Sequence, residues 1–553
     1  MSGNLIESTP SAYGYPLLIK GLFTTSLANR PQQEIVSANG SRYTLADLYG
    51  RVGQLAGALE SLGVRPGDTV GVMDWDTTRY LEAYFAVPMM GAVLHTINVR
   101  LPLEQLLYTI EHAEDKVVLV NSDFLPLLEA IKGRISTVDK YVLLSDVNER
   151  PATSLPIDAE YEELLTKGMP DYVFPELDEN TRATTFYTTG TTGLPKGVYF
   201  SHRQIVLHTL GALLAFSTPG SGQRFHRDDV YMPLTPMFHV HAWGIPYMAT
   251  FMGVKQVYPG RYLPDVLARL IRDEQVTFSH CVPTVLHMIL NSEAARDVDL
   301  SHWKVVIGGS ALPRGLAKAA LDRGIDIFEG YGLSETAPIL SLAQLAPEMA
   351  ARDEDARLDV LTRTGQPISL VEMHIVDEEM RDLPHDGKTA GEIVVRAPWL
   401  TQGYFKDSTH SEQLWRGGYL HTGDIGYIDA QGYLQITDRI KDVIKTGGEW
   451  ISSLEIEDII SQHPAVSEAA VIGIPDEKWG ERPLALVVLK EGQGSEITSD
   501  DITAHVRTYV DKGLISTWAV PESVQFVDAI EKTSVGKIDK KLLRSKYGPQ
   551  PIS

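Results

Sequence analysis

The pattern that most restricts the fold is a recurring one: short apolar runs, rich in β-branched residues, alternate with stretches of helical periodicity. Residues 69–73, 116–120, 141–144, 254–257, 305–307 and 325–328 are such runs. Buried strands alternating with helices imply an α/β architecture with much parallel sheet. Several of these strands are expected to run straight into glycine turns, Gly308-Gly309-Ser310 and Gly330-Tyr331-Gly332 among them. Turns at strand ends are where α/β folds bind ligands. No short-period repeat is visible, which argues against solenoids and propellers.

A chain of 553 residues exceeds what one hydrophobic core serves, so at least two domains are expected. The character of the sequence changes after Asp438. A helix near Ser453, strands at 469–474 and 485–489, a helix at 499–510, a strand at 523–527 and a basic helix at 537–546 read as a small α+β lid. The expected division is 1–440 and 441–553.

Composition removes whole classes of function. A formal charge of −23 would repel a phosphate backbone over most of the surface, so nucleic acid is not an expected partner. Cys281 is the single cysteine and admits no internal disulfide. With no basic and then apolar pattern in residues 1–10, a reducing cytoplasm is expected. The apolar stretch at 242–254 is too short to span a bilayer.

The densest chemistry lies just past an expected strand at 183–187, in Thr188-Thr189-Gly190-Thr191-Thr192-Gly193-Leu194-Pro195-Lys196-Gly197. Four hydroxyls, three glycines and one lysine supply side-chain donors, free backbone N–H groups and a point charge, the means of gripping a polyphosphate. This is not the common P-loop, because Lys196 follows a proline and Gly197 stands where that motif has Ser or Thr. A turn of this composition is also compatible with a plain flexible loop. The segments that follow it decide between the two.

Those segments are Pro236-Met237-Phe238-His239-Val240, Gly330-Tyr331-Gly332-Leu333-Ser334-Glu335-Thr336, Thr422-Gly423-Asp424, Asp438-Arg439-Ile440-Lys441-Asp442 and Gly536-Lys537-Ile538. Together with 187–197, and in this order, they resemble the core motifs of the adenylate-forming superfamily of acyl-CoA synthetases, peptide-synthetase adenylation domains and firefly-type luciferases. Ala242-Trp243 and the stretches 447–453 and 478–483 are most similar to bacterial medium- and long-chain fatty-acyl-CoA synthetases. The resemblance implies a large multi-sheet N-terminal domain and a small mobile α+β C-terminal domain.

It also implies a chemistry. A carboxylate is a poor electrophile; ATP converts it to an acyl-adenylate, and a thiol then displaces AMP. By resemblance, Thr188 and Glu335 hold Mg²⁺, and Thr189, Gly190, Thr191, Thr192, Gly193 and Lys196 embrace the departing phosphates. Gly309, Ser310, Ala311 and Tyr331 would enclose adenine, with Gly330 and Gly332 also on the cofactor side and Ser334 near the phosphates. Asp424 would accept from both ribose hydroxyls, and Arg439 would meet the ribose and phosphate side. Glu329 stands where relatives often carry Asp, Asn or Gln. Lys537 would orient the carboxylate and the α-phosphate, although Glu531 replaces a proline common in that loop. Lys441 corresponds to a hinge. Rotation about it would exchange Lys537 for a face carrying Gly447, Gly448 and Trp450, with Lys445 nearby, so that coenzyme A can enter.

The acyl side is read from Phe238 to Trp243. No carboxylate occurs there, so an amino acid's ammonium would be buried without a partner at a cost of several kcal/mol. His239 would line the carboxylate end, with Val240 beside it on the cofactor side, and Trp243 resembles the gate of fatty-acyl-CoA synthetases. His239 and His241 lack a third ligand at metal spacing. The expected activity is an ATP- and Mg²⁺-dependent fatty acid:CoA ligase for medium- to long-chain acids. A short, aryl or thioether acid, a carrier-protein acceptor and a non-catalytic ligand sensor are the other readings. Relatives imply a homodimer, and a peripheral membrane association is left open.

Overall fold

The computed structural model describes residues 4–145, 151–188, 194–218, 223–446, 449–476, 478–490, 492, 497–533 and 537–548. These residues build four sheets. In the seven-stranded sheet, Thr69–Met73 lies between Val93–Thr96 and Asp115–Asn121, all parallel, and Val93–Thr96 is followed by Arg182–Thr188 and then the antiparallel Lys196–Ser201. The nine-stranded sheet has a parallel centre made of Val230–Leu234, Phe278–Cys281, Lys304–Ile307 and Asp326–Gly332. Glu372–Val376, Gly391–Arg396, Leu420–Ile428 and Leu434–Arg439 form an antiparallel sheet. The fourth sheet carries Ile444–Thr446, Glu449–Ile451, Val466–Asp476, Gly480–Leu489 and Ser523–Phe526. It has its own apolar core, with Ile456, Ile460, Val471, Val487 and Val506 inside.

Three of the longer helices start where the sequence supplies caps. Thr44 with Asp47, Ser201 with Gln204 and Thr498 with Asp501 form reciprocal capping boxes on Leu45–Ser61, His202–Ser217 and Ser499–Asp511, satisfying N–H groups that a helix start leaves free.

Two expected elements differ. Residues 330–332 are not a turn: Asp326–Gly332 continues as a strand and pairs antiparallel with Ile339–Leu342. Gly332 permits this, because a β-carbon there would lie 1.7 Å from the Pro338 carbonyl oxygen. The basic helix starts at Lys540 rather than 537. Asp539 caps it by accepting the Leu542 N–H at 3.0 Å, while Lys537 lies in an extended segment whose carbonyl accepts the Thr533 N–H at 2.7 Å.

Every side chain of helix Thr78–Met89 is buried, Glu82 included. That carboxylate is a hub, accepting from Arg51 Nε at 2.7 Å, the Tyr43 hydroxyl at 2.9 Å and the Tyr161 hydroxyl at 2.6 Å. Removing one member of a buried pair leaves its partners uncompensated. Glu82→Gln is expected to lower the unfolding free energy by about 3 kcal/mol, read from the midpoint and slope of guanidinium denaturation. An unchanged midpoint would show that the hub contributes nothing net.

Candidate active site

Chain crossings at the carboxyl ends of Lys304–Ile307 and Asp326–Gly332 create a recess with almost no side-chain volume. A β-carbon on Gly308 would sit 2.6 Å from the Gly330 carbonyl oxygen and 3.0 Å from the Trp243 ring. Gly309 has φ of +82°, a left-handed conformation that glycine adopts without a steric penalty. The cavity here is about 40 Å³ and is lined by His239, Val240, Trp243, Gly309, Gly330, Gly332 and Ser334, with Val306, Leu333, Pro338, Ile339 and Leu342 as its apolar wall. That is room for a few water molecules, not for a fatty acid or a nucleotide. Lys537, from the small domain, also lines it, and a β-carbon on Gly309 would lie 3.5 Å from its Cε.

The charged groups beside this cavity form one set. Asp424, 4% exposed, accepts from the Tyr331 hydroxyl at 2.8 Å and pairs with Arg439 Nε at 3.3 Å. The pairing follows from the ladder, in which Asp424 and Arg439 face one another on neighbouring strands. Burial raises the Asp424 carboxyl above its usual range, against the opposing pull of Arg439 and Tyr331. Lys537 is pushed down to about 8 by burial and then by Arg439, while Asp424 and Glu335 hold it up. His239 is pushed down to about 3, by burial first and then by Lys537 and Arg100. It is therefore a neutral imidazole at any ordinary pH.

Glu335 sits on the short helical turn Ser334–Thr336. Its Oε1 accepts the Tyr404 hydroxyl at 2.8 Å, and its carbonyl accepts the Thr401 N–H at 3.0 Å. Its other carboxylate oxygen has no hydrogen-bond partner among the described residues. Thr188 ends its strand directly opposite Lys196, and the Lys196 ammonium lies 4.6 Å from the centre of the Tyr404 ring. Tyr404 thus touches both Glu335 and Lys196.

The segment carrying His239 is pinned from the seven-stranded side. Asp76 accepts the Met237 N–H at 2.8 Å, Tyr84 donates to the Met237 carbonyl, and Thr96 donates to the Phe238 carbonyl at 2.9 Å. Beyond it the backbone turns left-handed. Val240, His241, Ala242 and Trp243 have φ of +48°, +53°, +47° and +58°, and Gly244 has +72°. Each non-glycine residue in this conformation costs roughly 1–2 kcal/mol, and the bonds Ala242 N–H to His239 O (3.1 Å) and Gly244 N–H to His241 O (2.9 Å) hold the turn. The Trp243 ring, 6% exposed, is tilted against the His280 imidazole with centroids 5.1 Å apart.

The cavity thus gathers His239, Val240, Trp243, Gly309, Gly330, Gly332, Ser334 and Lys537, with Tyr331, Glu335, Asp424 and Arg439 beside it. Ser310 and Ala311 are exposed just past Gly309, and Glu329 accepts the Leu312 N–H at 3.2 Å and is raised well above the carboxylate range by burial. Lys441 is depressed by its own burial and by Arg439. Lys445 pairs with Trp450 across two strands of the small sheet, and its N–H donates to Glu481 at 2.9 Å. Thr189, Gly190, Thr191, Thr192, Gly193, Gly447 and Gly448 lie outside the described residues, as does the side chain of Trp450. Tyr404, Asp76, Tyr84 and Thr96 were not singled out. Each acts across more than 60 residues of chain, and no local pattern marks such a contact.

Comparison with known proteins identifies the family. Residues 23–405 match the model of the AMP-binding enzyme family, and residues 455–537 match that of the AMP-binding enzyme C-terminal domain. A long-chain-fatty-acid–CoA ligase of Thermus thermophilus is 43% identical, covering 92% of this chain and 90% of the relative. A 3-methylmercaptopropionyl-CoA ligase of Ruegeria lacuscaerulensis is 38% identical, with 96% and 97% covered, and a medium-chain-fatty-acid–CoA ligase of Ectopseudomonas oleovorans is 36% identical, with 96% of each covered. Among solved structures, the anthranilate CoA ligase AuaEII in complex with anthranoyl-AMP superposes with a TM-score of 0.82 at 25% identity over 97% of this chain and 98% of that one. ATP-bound MatB from Rhodopseudomonas palustris gives 0.80 at 25% identity over 95% and 98%. With both family models matched in order and full-length relatives well above 30% identity, the chain belongs to the AMP-binding enzyme family.

Proposed function

We propose that the protein is an ATP-dependent fatty acid:CoA ligase acting through an acyl-adenylate, with medium- to long-chain aliphatic acids as its substrates. The observation that carries the reading is the arrival of Lys537, from the small domain, in a cavity it shares with His239 and Trp243, beside Asp424, Arg439 and Glu335. Taking an ammonium partly out of water is costly unless opposite charge stands near it, as Asp424 and Glu335 do here. One held next to a neutral imidazole and at the mouth of an apolar niche suits a site where a carboxylate and a phosphate must meet. The names of the relatives, two of them fatty-acid–CoA ligases, support the substrate class.

In this reading the acid's carboxylate oxygen attacks the α-phosphorus of ATP, the bond to the β-phosphate oxygen breaks, and diphosphate leaves. Lys537 orients the two anions and offsets the charge that accumulates on the transferring group. Asp424 binds the ribose hydroxyls, and Arg439, fixed by Asp424, faces the phosphate side. His239 donates a hydrogen bond to the carboxylate without competing for its charge. Thr188 and Glu335 offer hydroxyl and carboxylate oxygens, the hard donors Mg²⁺ prefers, and two protein ligands are what this ion commonly takes when it arrives with a polyphosphate. Bound there, Mg²⁺ would neutralise phosphate charge. The thiol of coenzyme A then attacks the acyl carbonyl, and AMP leaves. The small domain turns about Lys441 between the two steps, dividing the chain near 440/441, so that Lys537 withdraws and Gly447, Gly448 and Trp450 come in. We place the enzyme in the cytoplasm, as a homodimer. Among the described residues no helix is long and apolar enough to cross a membrane.

A second reading, a short thioether acid as substrate, is favoured by the 38% identity to a 3-methylmercaptopropionyl-CoA ligase. A panel of straight-chain, aryl and thioether acids, assayed for diphosphate release with and without coenzyme A, separates the two. No diphosphate with any acid would sink both.

Three outcomes are expected. Lys537→Ala should slow acyl-AMP formation by at least about 100-fold, roughly 2.7 kcal/mol, while conversion of supplied acyl-AMP to acyl-CoA persists; equal loss in both steps would refute the role. A lysine is a cation only below its pKa, so with Lys537 at about 8 the kcat/KM of adenylation should fall as pH rises through that value. Lys537→Arg, charged throughout, should abolish this alkaline limb. Trp243→Ala should shift the chain-length profile by about tenfold in kcat/KM, dodecanoate over butanoate; an unaltered profile would remove Trp243 from the acyl path.

A further inference from the structure

We propose that Asp438, Ser453 and Lys540 form a buried latch that positions Lys537 for the first half-reaction and opens before the second; this rests on the ligase reading. Asp438 is 1% exposed and belongs to the large domain, in strand Leu434–Arg439, where it pairs with Ile425. Ser453 is fully buried and is the first residue of helix Ser453–Ser461 in the small domain. One Asp438 oxygen accepts the Arg439 N–H at 2.7 Å; the other accepts the Ser453 N–H at 2.7 Å and also the Ser453 hydroxyl. The carboxylate therefore sits at the positive end of that helix.

The same hydroxyl accepts from the Lys540 ammonium at 2.6 Å, and Lys540 pairs with Glu457 at 2.8 Å, which in turn accepts the Val471 N–H at 2.8 Å. Donors and acceptors alternate without a gap, so every member of the buried chain has a partner. Lys540 is the first residue of the last helix, three positions past Lys537, whose N–H and carbonyl are both bound by Thr533, at 3.2 and 2.7 Å. The latch thus fixes the far end of the segment that delivers Lys537. Ser452 adds a second strut, its hydroxyl donating to the Thr437 carbonyl.

Asp438 and Ser453 lie on opposite sides of Lys441. Rotation of the small domain there takes Ser453 away from Asp438 and strips a buried carboxylate of two donors, while Lys540 keeps its partners Ser453 and Glu457, which travel with it. The latch favours the closed arrangement selectively and contributes nothing to the open one.

The test is Ser453→Ala, with each half-reaction measured by itself: diphosphate release from acid and ATP without coenzyme A, and acyl-CoA formation from supplied acyl-AMP. Adenylation should fall about tenfold in kcat with KM for ATP unchanged, while thioesterification stays at or above the wild-type rate and serves as the folding control. Asp438→Asn should show the same loss of adenylation. Equal loss in both half-reactions, or no loss in the first, overturns the latch. A readout independent of activity uses spin labels at Lys318→Cys and Asp500→Cys, both exposed, with Cys281 buried. Ser453→Ala should broaden and lengthen the interdomain distance; an unchanged distribution overturns the proposal. If the wild type makes no adenylate from any acid, the ligase reading fails while the distance measurement still decides the latch.

Discussion

A half-buried ammonium group set between carboxylates and a guanidinium is the constraint around which this molecule is organised. Lys537 loses hydration on entering the cavity, and what keeps it partly charged is the proximity of Asp424 and Glu335, while Arg439 works against it. None of these groups tolerates the others at random. Arg439 is fixed opposite Asp424 by strand register, Asp424 is further held by Tyr331, and Glu335 is held by Tyr404. The balance keeps the lysine charged but near its limit, a state that lets a cation answer to new negative charge.

The large domain supplies this balance through backbone geometry more than through side-chain bulk. Parallel strands end at Gly308 and continue through Gly330 to Gly332, where atoms of neighbouring chain occupy the space a β-carbon would need. The wall of the recess at these glycines is therefore made of peptide groups rather than side chains. The loop at Met237 and Phe238 forms the facing wall, and three hydrogen bonds to Asp76, Tyr84 and Thr96 make its position a property of the other sheet. The site is thus an interface between two sheets, capped by a third unit.

Much of this was legible in the sequence because its signals are local. Runs of β-branched residues marked strands such as Thr69–Met73 and Lys304–Ile307, and ordered motifs marked Lys537, Asp424 and Glu335. Other features were not legible, for physical reasons. That Gly330–Gly332 is strand depends on Ile339–Leu342 returning to pair with it, a tertiary choice that overrides the turn propensity of glycine. That the last helix waits until Lys540 depends on Asp539 winning as its cap over residues of high helix propensity. Tyr404 and Asp76 lie in stretches whose composition is unremarked, and only the folded chain brings them to Glu335 and Met237. The adverse backbone of Val240 to Trp243 is the least foreseeable, since valine and tryptophan favour the opposite hand.

That turn has a mechanical meaning. With four side-chain-bearing residues wound against their natural sense, a return of any one to the right-handed region would redirect the bond that aims the Trp243 ring and eject it from its place beside His280. Ring position and chirality of winding are one variable rather than two. The indole is therefore held by the winding of its own backbone as well as by its neighbours, and a change in one is a change in the other.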